Sequence, residues 1–340
     1  MIGCLKFWML GTCLLAAPPA GEPIERFEFL QIQMGVPFKV VLYAPHEAIA
    51  NRAVRAAYRR IKQLNRIFSD YDPDSELMQF CRISGPEKPV EVSSELYFVL
   101  SRSLALSRQS GGAFDVSVGP VVKLWRKARR RKRLPNPEAL AVARRLMGFQ
   151  SIRLNAKAGT ARLMKPGMRL DFGGIAKGYA ADESLRILRT HGITRALIDG
   201  GGDIVVGDAP PGKTGWRIGI AALAKPDAEP NCFLLLKNAA IATSGDAYQA
   251  VTIDGTRYSH IVDPKTGLGL TRSSSVTVVA ADGITADSLA SAVSVLGPQR
   301  GLKLIESTKA ASALIVELKD GRLQTTTSAC FAKHEPVTHD

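Results

Sequence analysis

Cysteine is scarce. The 340-residue chain has five, at positions 4, 13, 81, 232 and 330, and no two form a Cys-x-x-Cys pair. That spacing speaks against a zinc site and against a redox dithiol. Long apolar runs are also missing. The longest, at residues 7–17, is too short to span a bilayer, and no later run reaches its length. Acidic residues are outnumbered, 31 against 45 basic, for a net charge of +14. Much of the excess is gathered in "RKARRRKR", residues 126–133. No aromatics interleave that run and no nucleic-acid reading element accompanies it, so a nucleic-acid partner is not expected. It reads as a solvated basic loop, with attraction to an anionic membrane surface or an acidic partner as the functional alternative. There is no internal repeat, no Gly-x-x-x-x-Gly-Lys-Ser/Thr phosphate loop and no Gly-x-Gly-x-x-Gly fingerprint.

What is present begins with a secretory layout. One lysine, a short apolar stretch and "AAPPAGEP" predict a signal peptide over residues 1–20, leaving 21–340 as a single domain in an exported protein. Cleavage would leave three cysteines, enough for at most one disulfide. A lipid on Cys13 is a second reading, disfavoured by Thr12 before it.

The rest alternates strand and helix signals. "FEFLQIQMGVPFKVVLYA" predicts two strands about a Gly-Val-Pro turn, and residues 46–69 an amphipathic helix. Helices are also expected at "SSELYFVLSRSLALSRQSGG", at "NPEALAVARRLMGF" and over residues 175–188. "MRLDF", "RALID", "DIVVGD", "WRIGIAA", "FLLLK", "AAIAT", "YSHIVDP" and "SSVTVVAA" read as strands. A small-residue helix, "ITADSLASAVSVLG", follows. The pattern predicts an α+β fold with mixed or antiparallel sheets and outer helices.

Four stretches could carry chemistry. In "LDFGGIAKG", glycines open a helix whose N-terminus favours an anion, with Asp171 before it and Lys177 one turn in. "SGGAFDVSVGP" offers close backbone approach at its glycines, an aromatic face at Phe114 and an acceptor at Asp115; a helix cap with a turn fits equally. In "YSHIVDPKTG", His260 near a carboxylate is a candidate general base, or a packing residue. Asp287 and Ser291 stand four apart on one helix face, a pattern that suits Mg²⁺ or tight packing against a sheet.

The order of these stretches, together with "FSDYDPDSEL", "LIDGGGDIVVGD" and "AIATSGDAY", resembles the ApbE family of FAD:protein FMN transferases. The resemblance implies Mg²⁺-dependent transfer of FMN from FAD to a Thr or Ser hydroxyl of a target protein, with release of AMP. It implies FAD contacts at Met34, Tyr71, Ala113, Phe114, Asp115, Asp171, Lys177 and His260. It implies a metal held by Gly174 and Ala290 carbonyls, Asp287 and Ser291, with His260 and Asp287 catalytic. Ser291 stands where the family usually has Thr, and "SGDAY" is one residue longer than the usual form. The acceptor is expected to carry an Asp-Gly-x-Thr/Ser motif, in a membrane redox-complex subunit on the periplasmic side of the inner membrane. An FAD hydrolase and a non-catalytic flavin-binding or trafficking protein are the rival functions.

Overall fold

The computed structural model describes residues 23–221, 223, 230, 232–245 and 250–331. The expected signal peptide, and Asp246, Ala247 and Tyr248 of the lengthened loop, lie outside the described residues.

β1 (Glu25–Gln33) and β2 (Val36–Ala44) make a hairpin. Its two turn residues, Met34 and Gly35, both have positive φ, 49° and 78°, so the turn is Met-Gly rather than the expected Gly-Val-Pro. α1 (Glu47–Phe68) buries Ala50, Ala53, Val54, Ala57, Ile61, Leu64 and Phe68, one stripe at helical spacing. α2 (Glu76–Ile83) and α3 (Ser94–Gln109) start at Ser75 and Ser93, whose side chains accept from the Met78 and Leu96 amides. β3 (Val90–Glu91) lies between them. α4 (Gly119–Arg131) and α5 (Pro137–Arg145) follow, then β4 (Ile152–Asn155) and β5 (Thr160–Leu163), which pair with β3 in a small sheet. After α6 (Ala176–Thr190) come β6 (Ala196–Gly200), β7 (Asp203–Val206), β8 (Trp216–Ile220), β9 (Cys232–Leu236) and β10 (Ala239–Gly245). β11 (Val251–Ile253) and β12 (Thr256–Tyr258) form a short hairpin. The described chain closes with β13 (Ser273–Ala280), α7 (Gly283–Leu296), α8 (Pro298–Glu306), β14 (Ser312–Lys319) and β15 (Arg322–Thr327).

The main sheet is antiparallel throughout, in the order β1-β2-β6-β7-β10-β13-β14-β15. Both faces are covered, so its central strands bury alternate residues in different cores. Val40, Val205, Ala240, Ala242 and Val278 face α1, α6 and α7. Val41, Val206, Ile241 and Val279 face the β8–β9 hairpin with its Trp216, Ile218 and Leu234. A third, smaller cluster joins α4 and α5 to the β11–β12 hairpin through Val121, Trp125 and Ile253. This is the α+β single-domain architecture with antiparallel sheets that the sequence predicts.

Three further local expectations are corrected. "MRLDF" is not a strand; it runs extended with no sheet neighbour, and Asp171 N donates instead to the Val116 carbonyl (2.8 Å). "YSHIVDP" leaves its strand at Tyr258, and His260 lies in the following bend. Residues 126–131 are helical, not a loop; only Lys132, left-handed at φ 50°, ends α4. Cys81, Cys232 and Cys330 are free thiols, and burial pushes Cys81 up to about 11. No described helix is long and apolar enough to cross a membrane.

Candidate active site

α6 and α7 touch backbone to backbone. A Cβ on Gly178 would lie 2.1 Å from the Gly283 carbonyl oxygen, so only glycine allows the approach. Asp182 of α6 locks the pair by accepting from Gly283 N (2.6 Å) and Ile284 N (2.9 Å), while Asp282 caps α7 through Thr285 N (2.9 Å). This contact carries Asp287 to the start of α6, where its Oδ2 accepts from Gly178 N at 3.1 Å. α6 has no side-chain cap of its own, so Asp287, more than a hundred residues away in sequence, serves that end.

In front of this junction opens a cleft of about 460 Å³. Its floor is Gly173, Gly174, Lys177, Asp287, Ala290 and Ser291. One wall is Phe114, Asp115, Trp125, Arg126 and Asp171; the other is Asp203, Thr243, Ser244 and His260. Of the residues singled out in the sequence, Tyr71, Ala113, Phe114, Asp115, Asp171, Gly174, Lys177, His260, Asp287, Ala290 and Ser291 all line it. Met34 does not. It sits in the left-handed turn, packed on the main core, and Val36 lines the cleft in its place.

The charges are arranged in pairs. Lys177 is ion-paired with the buried Asp203. Burial works against its charge, but Asp203 and Asp287 outweigh that and raise its pKa, so it is a fixed cation. Burial, with Asp203 nearby, pushes Asp287 up to about 7. Asp171 Oδ1 accepts from Gly173 N (2.8 Å) and its Oδ2 from Arg126 Nη2 (2.9 Å). Arg126 also pairs with Asp70, and its guanidinium lies 4.3 Å from the centre of the Tyr71 ring. Asp115 is occupied internally: Oδ1 accepts from Ser117 N and Oγ, and Oδ2 from Phe149 N. Its role in the wall is to hold the Phe114 turn. The bend bearing His260 is held by Trp125 Nε1 donating to the Ser259 carbonyl (3.0 Å) and by Ser259 N donating to Leu270 O (2.7 Å).

The floor has the donor set of a hard cation. Asp287, Ala290 and Ser291 follow one another at i, i+3 and i+4 on α7. A Cβ on Gly174 would come within 2.6 Å of Ser291 Oγ, so the glycine turn lies directly against that hydroxyl. Asp287 keeps Oδ1 after serving Gly178, and Ser291 Oγ makes no hydrogen bond to a described residue. One carboxylate with neutral oxygens suits Mg²⁺, which retains waters and takes phosphate oxygens; no cluster of three His, Cys, Asp or Glu exists among the described residues for a softer metal.

Among the lining residues that sequence reasoning missed are the ion-pair partners Asp203 and Arg126. Asp203 opens the strand "DIVVGD", and its partner Lys177 is 26 residues earlier. Arg126 was hidden in the basic run, where only its place four residues after Val122, which also lines the cleft, could have marked it.

Asp182 gives a stability test. Burial lifts it from 3.8 to about 7, against its two N–H bonds. The folded chain therefore binds this proton more tightly than the unfolded chain. Stability should fall as pH rises from about 4 to about 7 and level off above, by at most ~1.4 kcal/mol per unit for each such group. Asp287 adds a like slope. Asp115, Asp171 and Asp203, also raised by burial, act in the same sense. Asp182→Asn is expected to remove its own share and flatten the slope, read from urea midpoints at pH 4.5 to 8; an unchanged slope would contradict the assignment.

Comparisons with known proteins find related chains. The ApbE family pattern matches residues 34–315. The chain is 29% identical over 330 residues to the FAD:protein FMN transferase of Treponema pallidum, covering 91% of each. It is 32% identical over 283 residues to that of Haemophilus influenzae, covering 80% of each. The solved flavin transferase ApbE from Vibrio cholerae superimposes with a TM-score of 0.83 at 28% identity, over 92% of this chain and all of that one.

Proposed function

Because the chain belongs to the ApbE family and is a flavin transferase, we propose that it moves FMN from FAD to a threonine or serine hydroxyl of a target protein, releases AMP and uses Mg²⁺. The observation that carries the finer reading is the cleft floor, where Asp287, Ala290, Ser291 and Gly174 assemble an oxygen set beside the fixed cation Lys177.

Lys177 and the backbone amides of the glycine turn offset the charge of the FAD diphosphate. Phe114 and Tyr71 present ring faces to the flavin. Asp171, fixed by Arg126 and Gly173, accepts from the FAD ring atoms. His260 takes the proton of the acceptor hydroxyl as its oxygen forms a bond to the FMN phosphorus. The bond from that phosphorus to the bridging oxygen breaks, and the oxygen leaves with AMP. Asp287, Ser291 and the Gly174 and Ala290 carbonyls hold Mg²⁺. When bound, the metal neutralises diphosphate charge and orients its oxygens for in-line displacement. Our reading of residues 1–20 as a signal peptide puts the reaction on the periplasmic side, with a membrane redox-complex subunit bearing Asp-Gly-x-Thr/Ser as acceptor.

The test is to incubate the protein with FAD, Mg²⁺ and a peptide of the acceptor pattern. The expected result is a peptide mass increased by FMN less water, with one AMP per transfer. FMN and AMP with an unmodified peptide would make it a hydrolase. Retained FAD without AMP would make it a binding protein.

A further inference from the structure

The chemistry of the cleft uses one residue of the basic run, Arg126. In α4, Arg126, Arg129 and Arg130 stand three and four residues apart and share a face turned away from the buried Val121, Trp125 and Ala128. That face borders a groove of about 400 Å³ between α4 and the start of the β11–β12 hairpin. Of the described residues, Tyr71, Arg126, Arg129, Arg130, Ala250 and Val251 line it, and none of these carries a carboxylate. Tyr71, Arg126 and Arg129 also line the active-site cleft, so the groove and the cleft are continuous. Arg126 is neutralised by Asp70 and Asp171, whereas Arg130 forms no ion pair with a described residue. Arg130, Arg131, Lys132 and Arg133 are all exposed.

We propose that this groove docks an acidic segment of the acceptor protein, next to the residue that receives FMN. The proposal rests on the transferase reading. A chain whose hydroxyl reaches into the cleft must leave it along the surface, and this groove is a continuous exit with Arg130 on its wall and the exposed Arg131, Lys132 and Arg133 next in sequence. Its concave form and its Tyr71, Ala250 and Val251 wall fit an extended peptide. A lipid surface would meet the exposed cations without entering the groove. Charges at such a rim act on encounter and on KM more than on chemistry, and salt screens them over about 8–10 Å.

The experiment compares two fluorescently labelled threonine peptides of the acceptor pattern, one extended by four Asp and one by four Ser. Anisotropy reads binding and mass spectrometry reads transfer, for the full chain and for R130Q/R131Q/K132Q/R133Q. The parent protein is expected to bind the Asp-extended peptide about tenfold more tightly, with a correspondingly lower KM and equal kcat. The preference should vanish in the variant and at high salt. Equal binding of both peptides by the parent would overturn the proposal. So would a variant weakened equally toward both, or loss of binding to phosphatidylglycerol vesicles as the only effect of the variant. Selective binding without FMN transfer would uphold the docking groove and sink the transferase reading instead.

Discussion

Asp287→Asn is expected to lose FMN transfer by at least about 100-fold while melting no lower than the parent protein. The activity loss follows from removing the one carboxylate of the proposed cation site, and loss of preorganised charge at such a centre is typically worth ~10²–10³-fold. The stability half follows from burial. The carboxylate sits with its pKa pushed up to about 7, so ionising it at neutral pH costs the fold free energy that an amide does not. Asparagine keeps the oxygen that accepts from Gly178 N. Lys177 keeps Asp203 as its partner. Transfer rates on a threonine peptide, Mg²⁺ titration by calorimetry and thermal melts together check the prediction. A variant that binds Mg²⁺ and transfers normally would remove Asp287 from the metal site, and a variant that melts well below the parent would show that the carboxylate is structural.

Gly178→Ala should do the opposite, damaging fold and function together. Its Cβ would meet Gly283 O at 2.1 Å, Gly283 C at 2.5 Å and Asp287 Cβ at 2.8 Å. Two of these atoms are backbone of α7 and cannot rotate aside. α6 and α7 must separate, breaking the Asp182 bonds to Gly283 and Ile284 and lifting Asp287 from Gly178. Overpacking alone costs about 1–3 kcal/mol, and the lost buried hydrogen bonds add about 1–3 more. We expect at least ~3 kcal/mol of destabilisation in urea unfolding, with soluble protein that transfers poorly. Gly85→Ala, whose Cβ meets nothing within 4 Å, is the control and should stay within ~0.5 kcal/mol. Near-parent stability in Gly178→Ala would show that the two helices are free to slide apart.

The helices were the more legible part of the sequence, because their evidence is local. The apolar stripe of α1, the Ser75 and Ser93 caps and the i, i+4 pair Asp287 and Ser291 can all be read within one segment. Pairings across the chain cannot. "MRLDF" alternates correctly, burying Met168, Leu170 and Phe172, yet no strand runs beside it and it stays unpaired. Seven positive charges in eight residues suggested a solvated loop, but the anions that draw Arg126 inward are Asp70 and Asp171, 56 and 45 residues away. Asp203 was read as the start of a strand because its cation lies before β6 begins. Met34 was assigned by resemblance alone, and its left-handed turn turns out to carry it onto the core while Val36 reaches the cleft.

The glycine-to-glycine seam between α6 and α7 also sets the order in which this molecule becomes competent. The two halves of the cleft floor are synthesised more than a hundred residues apart, and a contact so distant in sequence forms slowly. A nascent or partly folded chain therefore offers FAD no site until α7 has docked. A ligand seated across the finished seam stabilises an arrangement that exists only late in folding, so it slows unfolding and leaves the rate of folding almost unchanged. Flavin bound at the proposed site would act as a kinetic clasp, reinforcing a joint that Asp182 and Asp287 hold through three backbone N–H groups.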